Sequence, residues 1–421
     1  MGNTRERQRW LLSRSLAGAA ALALVAVADA AQAAPPAEGP IHVPARAAVV
    51  EGRYIVSLKG AAGPSVQSAA GAVAGRYGGR VERTYRTALN GFVLTATEAQ
   101  ARRLAADPQV ERVEADSMVR GADTRPYPIW NLDRVDQRSS VLDDAYGYPA
   151  EAGVGVTAYI LDTGIRTTHT QFGGRATVGF DAIADGWNGQ DCNEQGHGTH
   201  VAGTVGGATY GMANRVNLVS VRVLGCNNLG TVSQIIAGVD WVTQNAQRPA
   251  VVNMSLGGAE SASEETAVAA SIASGITYVV AAGNWEQDAC GYSPAGLPAA
   301  ITVGASNTIG ERATGWGGDQ PGSNYGSCLD LFAPGESIKS AHNATDRATR
   351  VLRGTSMAAP HVAGAAALVL SKYPDATPAQ VANLLTSRAT PDAVRADTLR
   401  GSPNRFLYSA EVIDPPAAPA P

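Results

Sequence analysis

Lysine is almost missing from this chain, which has only Lys59, Lys339 and Lys372 among its 421 residues. Arginine carries nearly all the positive charge, scattered rather than striped, and the net charge is −4. A surface that grips nucleic acid needs a basic patch to neutralise phosphates, so no nucleic-acid partner is expected. Aromatic residues are also few, at 6%. Long apolar runs are lacking too. The one near the N-terminus, over residues 15–28, has roughly 14 residues and falls short of the roughly 30 Å of hydrocarbon that a spanning helix must cross. The four cysteines include no Cys-x-x-Cys pair, which removes the usual zinc framework. What is plentiful is glycine, with 47 residues, and apolar side chains, at 45%. Such a chain can bury a large core with many tight turns, and its length suits two or three domains at about 100–200 residues each.

The start of the chain reads as an export leader. Arg5, Arg7, Arg9 and Arg14 precede the short apolar run, and Ala31-Gln32-Ala33 offers small residues at a cleavage site, so residues 1–34 are expected to be removed on secretion. An exported protein matures in an oxidising compartment, where an even number of cysteines points to disulfides. Cys192, Cys226, Cys290 and Cys328 allow three pairings, which the sequence alone leaves open. Sequential pairing would close loops of roughly 35–40 residues, each worth about 3–4 kcal/mol in the chain-entropy account.

Residues 35–50 are a Pro/Ala-rich linker without periodicity. Residues 51–118 then alternate strand and helix patterns as β-α-β-β-α-β, the ferredoxin-like order of a small α+β domain, with Thr97 as the N-cap of its second helix. A polar stretch over 116–127 leads to a larger domain over 122–410, and residues 411–421 form a Pro/Ala-rich tail. In the large domain, β-branched apolar runs at 156–161, 216–223, 250–254 and 277–282 are separated by helical patterns at 197–206, 232–245, 264–274 and 356–372. Strands that are apolar on both faces, with helices between them, predict an α/β fold: a parallel sheet covered by helices on both sides. Sites in such sheets lie beyond the carboxyl ends of the strands. Asp162 and Asn284 each follow one.

Three short boxes carry the chemistry. Asp162 lies in Ile160-Leu161-Asp162-Thr163-Gly164, His197 in Gly196-His197-Gly198-Thr199-His200, and Ser356 in Gly354-Thr355-Ser356-Met357-Ala358-Ala359-Pro360-His361. A serine hydroxyl is a poor nucleophile unless an imidazole takes its proton and a carboxylate orients that imidazole. Ser356 opens a helical pattern, where free N–H groups face developing negative charge. Pro360 reads as tolerable because the first turn of a helix lacks intrahelical donors. Rival chemistries fail on missing parts. His197 and His200 lack the glutamate of a His-Glu-x-x-His zinc site. Asp162 lacks the second Asp-Thr-Gly of an aspartic protease.

Taken together, these boxes resemble those of the subtilisin-like serine proteases, and within them the proteinase K group with its secreted aqualysin-type members. Their order along the chain, Asp-His-Ser, is that of subtilisin. The resemblance spans nearly the whole chain: a leader, an inhibitor-like propeptide over 51–118, and a peptidase domain over 122–410. It implies a subtilisin-like fold and a broad-specificity endopeptidase with Ser356 as nucleophile, His197 as general base and acid, and Asp162 as orienting carboxylate. His200 becomes a packing residue. Ala281-Ala282-Gly283-Asn284 matches the oxyanion segment, which implies that Asn284 and the Ser356 N–H hold the tetrahedral oxyanion. Ser255, Leu256, Gly257 and Gly258 match one wall of the primary specificity pocket, and Ala281 and Gly283 the facing wall. Asn228 and Gly230, in the segment 228–232, match the strand that pairs with an extended substrate. An open pocket without a charged floor implies aromatic, aliphatic or small residues before the cut.

The resemblance also implies the sequential disulfides Cys192–Cys226 and Cys290–Cys328. It implies a calcium ion held by the Asp330 carboxylate with the carbonyls of Pro298 and Ala300, hard oxygen ligands that suit it. The partners it implies are protein and peptide substrates and the chain's own propeptide, which acts as folding aid and inhibitor until cut near 118–124. The mature form is expected to be a monomer, free of membrane. Two departures stand out. The segment between Cys192 and His197 is about two residues longer than in close relatives by this resemblance, and the Gly/Trp/Asp/Pro-rich stretch 314–323 replaces a shorter approach to Asn324, as a longer surface loop. Rival functions on the same fold are a silent binding protein and a peptide ligase.

Overall fold

The computed structural model describes residues 37–43, 49–60, 65–117, 123–126 and 128–410, with the backbone alone for 123–126. The leader at 1–34 and the tail at 411–421 lie outside the described residues. The chain forms two compact units, Met1–Arg120 and Gly121–Pro421.

In the first unit the elements run β1 (Ile41–His42), β2 (Val49–Leu58), α1 (Val66–Tyr77), β3 (Arg80–Tyr85), β4 (Gly91–Thr95), α2 (Glu98–Ala105) and β5 (Val110–Ser117). The strand order is β1-β5-β2-β4-β3, with β2 antiparallel to both β4 and β5. Alternate residues of β2, Tyr54, Val56 and Leu58, turn inward as the period of two requires. They share a core with Val66, Ala70 and Val73 of α1 and with Ala101 and Leu104 of α2. Thr97 closes a capping box at α2, accepting the Gln100 N–H while the Gln100 side chain accepts the Thr97 N–H. β1 departs from the sequence pattern. It lies within the aperiodic stretch 35–50, yet it pairs in parallel with Val113 and Glu114. Two residues are too few to display a period.

The second unit runs β6 (Asp123–Pro126), α3 (Trp130–Val135), β7 (Ala145–Tyr148), β8 (Thr157–Asp162), β9 (Ala176–Asp181), α4 (His197–Gly206), β10 (Asn217–Arg222), α5 (Val232–Asn245), β11 (Ala250–Met254), β12 (Gly258–Ala259), α6 (Ala262–Ala273) and β13 (Thr277–Ala281). It continues through β14 (Tyr292–Ser293), β15 (Ile301–Ser306), β16 (Leu331–Pro334), β17 (Ile338–Ala341), β18 (Thr349–Leu352), α7 (Thr355–Lys372), α8 (Pro378–Arg388), β19 (Thr390–Pro391) and β20 (Arg405–Phe406). The main sheet has the order β19-β20-β16-β15-β13-β11-β8-β10-β9. Its neighbours are parallel from β9 to β20, and β19 is antiparallel.

Strand residues alternate between two apolar layers. From β8, Ala158 and Ile160 join the layer of α4 and α7, which also holds Val201, Val205 and Leu368. Tyr159 and Leu161 join the opposite layer, with Val239 of α5 and Val268 of α6. Both faces are therefore covered, which is why these strands carry no polar alternation.

Three expectations change here. The polar stretch 116–127 is not one connector, since Asp116 and Ser117 end β5 and β6 pairs with β7. Of the expected cut region 118–124, residues 118–122 lie outside the described residues. Pro360 does not sit in the first turn, because α7 begins at Thr355. The stretch 314–323 is not a plain surface loop, because Trp316 is buried in the core and Thr314 bridges Gly322. An indole carries enough apolar area to pull its loop inward.

Candidate active site

Parallel strands bring their carboxyl ends to one edge, and there the chain departs from β8, β10, β11 and β13. Asp162 is the last residue of β8 and is fully buried. His197 is the first residue of α4, and its Nδ1 lies 2.7 Å from Asp162 Oδ1. The same oxygen accepts the Thr163 N–H at 2.7 Å. Close approach of the two segments depends on Gly198, where a β-carbon would overlap the Gly164 carbonyl oxygen and stand 3.1 Å from Asp162 Oδ1. Burial of the ring pulls the His197 pKa down. The Asp162 charge and hydrogen bond, with the Asp191 charge behind them, outweigh this and hold it above its ordinary value.

Asp191 is a tie with no signal of its own in the sequence. Its Oδ1 accepts from Thr163 Oγ1 at 2.9 Å and Asn193 N at 3.0 Å; its Oδ2 accepts from Thr199 N at 3.0 Å and Thr199 Oγ1 at 2.6 Å. Thr163 Oγ1 in turn accepts the Gly198 N–H at 2.9 Å. One buried carboxylate thus links the end of β8 to the first turn of α4. Burial pushes its pKa up to about 6, against the Thr199, Asn193 and Thr163 hydrogen bonds that lower it. Nothing in the neighbouring residues separates it from a solvated turn aspartate. His200 is also fully buried, and its Nε2 donates to the carbonyls of Ile338 at 2.9 Å and Arg350 at 3.2 Å. Burial pushes its pKa down to about 3, so it stays neutral at ordinary pH.

Ser356 is the second residue of α7, which packs against α4. Gly354 before it has φ of +139°, a backbone state that only glycine adopts at little cost. Pro360 lacks the N–H that would bond the Ser356 carbonyl four residues back. Ser255 Oγ takes that place, donating to the Ser356 oxygen at 2.7 Å. In return Ser356 Oγ donates to the Ser255 carbonyl at 3.1 Å. Asn284 follows β13, and its Oδ1 accepts from Thr355 N and Thr355 Oγ1, both at 2.8 Å. The Gly283 N–H donates to Thr355 Oγ1 at 3.1 Å. Thr355 therefore aims the Asn284 amide, a role that its place in the serine box does not reveal.

Of the expected pocket residues, Ser255 lies against Ser356, and Leu256 packs half-buried on the core. Gly257 and Gly258 are exposed, with Gly258 opposite Ser293 in the β12–β14 pair. Ala281 ends β13 and is buried. Asn228 has φ of +62° and closes a turn, donating its N–H to the Gly225 carbonyl at 2.9 Å. Gly230 follows in the same loop after β10. The expected pairing strand is shorter than 228–232, because Val232 begins α5 and Thr231 caps it.

The structure joins Cys192 to Cys226 and Cys290 to Cys328. The first bridge lies beside the buried Arg222, whose Nη2 is 3.1 Å from Cys192 Sγ. Asp330 Oδ2 accepts the Thr302 N–H at 2.8 Å, next to the turn that holds Pro298 and Ala300. Burial raises the Asp330 pKa, with the Thr302 N–H and Arg405 opposing. Among the described residues no ion pair neutralises it, and a carboxylate left without a counter-charge is a hard oxygen donor of the kind a hard cation takes.

The subtilase family model matches residues 153–406, and the peptidase inhibitor I9 model matches residues 53–122. An extracellular serine proteinase of Thermus sp. (strain Rt41A) is 49% identical over 379 residues, which cover 86% of this chain and 90% of that protein. Alkaline serine exoprotease A of Vibrio alginolyticus is 45% identical over 343 residues, covering 80% of this chain and 62% of its own length. Among solved structures, a cold-adapted subtilisin-like serine proteinase has a TM-score of 0.62 at 49% identity, covering 67% of this chain and 98% of that one.

Proposed function

The chain belongs to the subtilase family of serine proteinases, and on that premise we propose that it is a secreted endopeptidase acting through Ser356, His197 and Asp162. The observation that carries this reading is the buried Asp162–His197 pair at 2.7 Å, at the same sheet edge as a serine on a helix N-terminus. With Nδ1 held by Asp162, His197 Nε2 is the nitrogen left to accept a proton.

In the reaction, the Ser356 hydroxyl turns from the Ser255 carbonyl toward His197. Nε2 takes its proton as Oγ bonds the substrate carbonyl carbon, and the carbonyl electron pair moves onto oxygen. The Asn284 amide and the Ser356 N–H, which has no intrahelical partner so early in α7, hold that oxyanion. The tetrahedral adduct collapses, the C–N bond breaks, and the departing amine takes the proton from His197. Water then cleaves the acyl-enzyme by the same route, releasing the acid and restoring the serine. Gly257 and Gly258 facing Ala281 and Gly283 favour aromatic, aliphatic or small side chains before the cut. Asn228 and Gly230 pair with the extended substrate.

Residues 51–118 act as folding aid and inhibitor of the domain over 122–410, and the mature protein works as a monomer. Calcium is common in this family. Asp330, with the Pro298 and Ala300 carbonyls, would hold the ion, which when bound supplies positive charge to a half-buried carboxylate.

The test is hydrolysis of a mixed peptide library by the mature protein. Activity is expected to disappear on Ser356→Ala and on treatment with a serine-directed phosphonyl reagent, and to persist under a zinc chelator at saturating calcium. Turnover that survives Ser356→Ala overturns the assignment.

A further inference from the structure

Three contacts tie the loop 314–323 to the oxyanion segment and the serine box. The Gly322 N–H donates to the Asn284 carbonyl at 3.2 Å, and the Glu286 N–H donates to the Gly322 carbonyl at 3.0 Å. Arg353, three residues before Ser356, donates from Nη2 to the Trp316 carbonyl at 2.6 Å. The loop is also closed on itself, since the Trp316 N–H donates to the Pro321 carbonyl at 2.9 Å and Trp316 is buried. It is therefore held at both ends. That placement brings Gln320 Oε1 to 3.4 Å from Asn284 Nδ2.

We propose that Gln320 is a positioning residue for catalysis, holding the Asn284 amide in its donating orientation before substrate arrives. The inference rests on the reading of Asn284 as an oxyanion donor. An asparagine amide has one acceptor and two donor protons. Thr355 occupies the acceptor from one side, through its N–H and its hydroxyl at 2.8 Å. Gln320 accepts one Nδ2 proton from the other side, and the second proton stays free for the oxyanion. With both ends of the amide engaged, it neither flips nor turns away between turnovers. Preorganised donors stabilise the transition state because no reorientation is left for the moment of reaction. Gln320 touches neither substrate nor reacting atoms, so its loss should be felt in kcat and not in substrate affinity.

The test is steady-state kinetics on one peptide substrate with the mature wild type, Gln320→Ala, Gln320→Glu, Asn284→Ala and the double variant Gln320→Ala/Asn284→Ala. Asn284→Ala is expected to lower kcat by about 10²–10³. Gln320→Ala should lower kcat about three- to tenfold, in line with one exposed neutral hydrogen bond, with KM changed less than about twofold. Gln320→Glu keeps an acceptor at the same reach but sets a negative charge beside the developing oxyanion above the carboxylate range, so there it should lower kcat at least as much as Gln320→Ala. In the Asn284→Ala background, Gln320→Ala should have no further effect. An unchanged kcat in Gln320→Ala, or an equal loss in both backgrounds, overturns the proposal. If Asn284→Ala itself leaves kcat unchanged, the oxyanion reading fails instead, a result distinct from failure of the Gln320 contact.

Discussion

Glu264 offers a sharp test of how burial controls stability in this protein. It stands in the first turn of α6, yet only 2% of it is exposed. Its Oε1 is buried without a partner. Burial, with repulsion from Glu265 added, pushes its carboxyl from the ordinary 4.5 up to about 7. The sign follows from linkage. Well below pH 4.5 the carboxyl is protonated in both folded and unfolded chains, and nothing is lost. As pH rises toward 7 the unfolded chain ionises first, so unfolding becomes easier. Above 7 the loss is complete, at about 1.4 kcal/mol per pH unit between the two values, or about 3 kcal/mol. Glu264→Leu removes the penalty and gives up at most about 1 kcal/mol of favourable charge at the helix N-terminus. The expected gain at about pH 8.5 is about 2–3 kcal/mol. Denaturant unfolding, followed by tryptophan fluorescence from about pH 4 to about pH 8.5, measures it, with Ser356→Ala in both proteins to prevent autolysis. The difference between the two proteins should be smallest at the acid end and grow as pH rises. Parallel curves would show that Glu264 is not held as a buried acid.

Four further outcomes follow from the site. Gly198→Ala forces a β-carbon against the Gly164 carbonyl and toward Asp162; a shift of about 1 Å at the pair should lower kcat about 10²-fold, and a change within about twofold would contradict the packing. Asp191→Asn removes one of the charges that raise the His197 pKa, so the acid limb of the pH–rate profile should move to lower pH, and an unmoved or raised limb refutes the coupling. Replacing Cys192 and Cys226 by serine opens a loop with a sequence separation of 34 and should cost about 4 kcal/mol in unfolding experiments; a loss under about 1 kcal/mol argues against the entropic account. Chelating calcium should lower the melting temperature of the Ser356→Ala protein, and Asp330→Asn should abolish that response while remaining folded by circular dichroism.

Much of the fold is legible because its signals are local. The runs at 156–161 and 250–254 are apolar on both faces only because helices cover both sides of β8 and β11, and that pattern is written along the strand. The boxes around Asp162, His197 and Ser356 are short and self-contained, so the candidate triad can be named from residues adjacent in sequence. Two-residue strands such as β1 and β19 carry no period, and the sequence pattern does not announce α8.

What only the tertiary structure decided is how those boxes are held. Asp191 ties Thr163 to Thr199 across 28 and 8 residues of chain. Ser255 supplies the hydrogen bond that Pro360 denies to the Ser356 carbonyl, from 101 residues away. Gln320 reaches Asn284 because its loop is anchored by the buried Trp316 and by backbone hydrogen bonds between Gly322 and the segment 284–286. A side chain's partner across such distances depends on where the sheet edge gathers its loops, and no spacing within a motif encodes that. The sequence by itself singled out the residues we propose to carry the chemistry; packing decided which neighbours orient them.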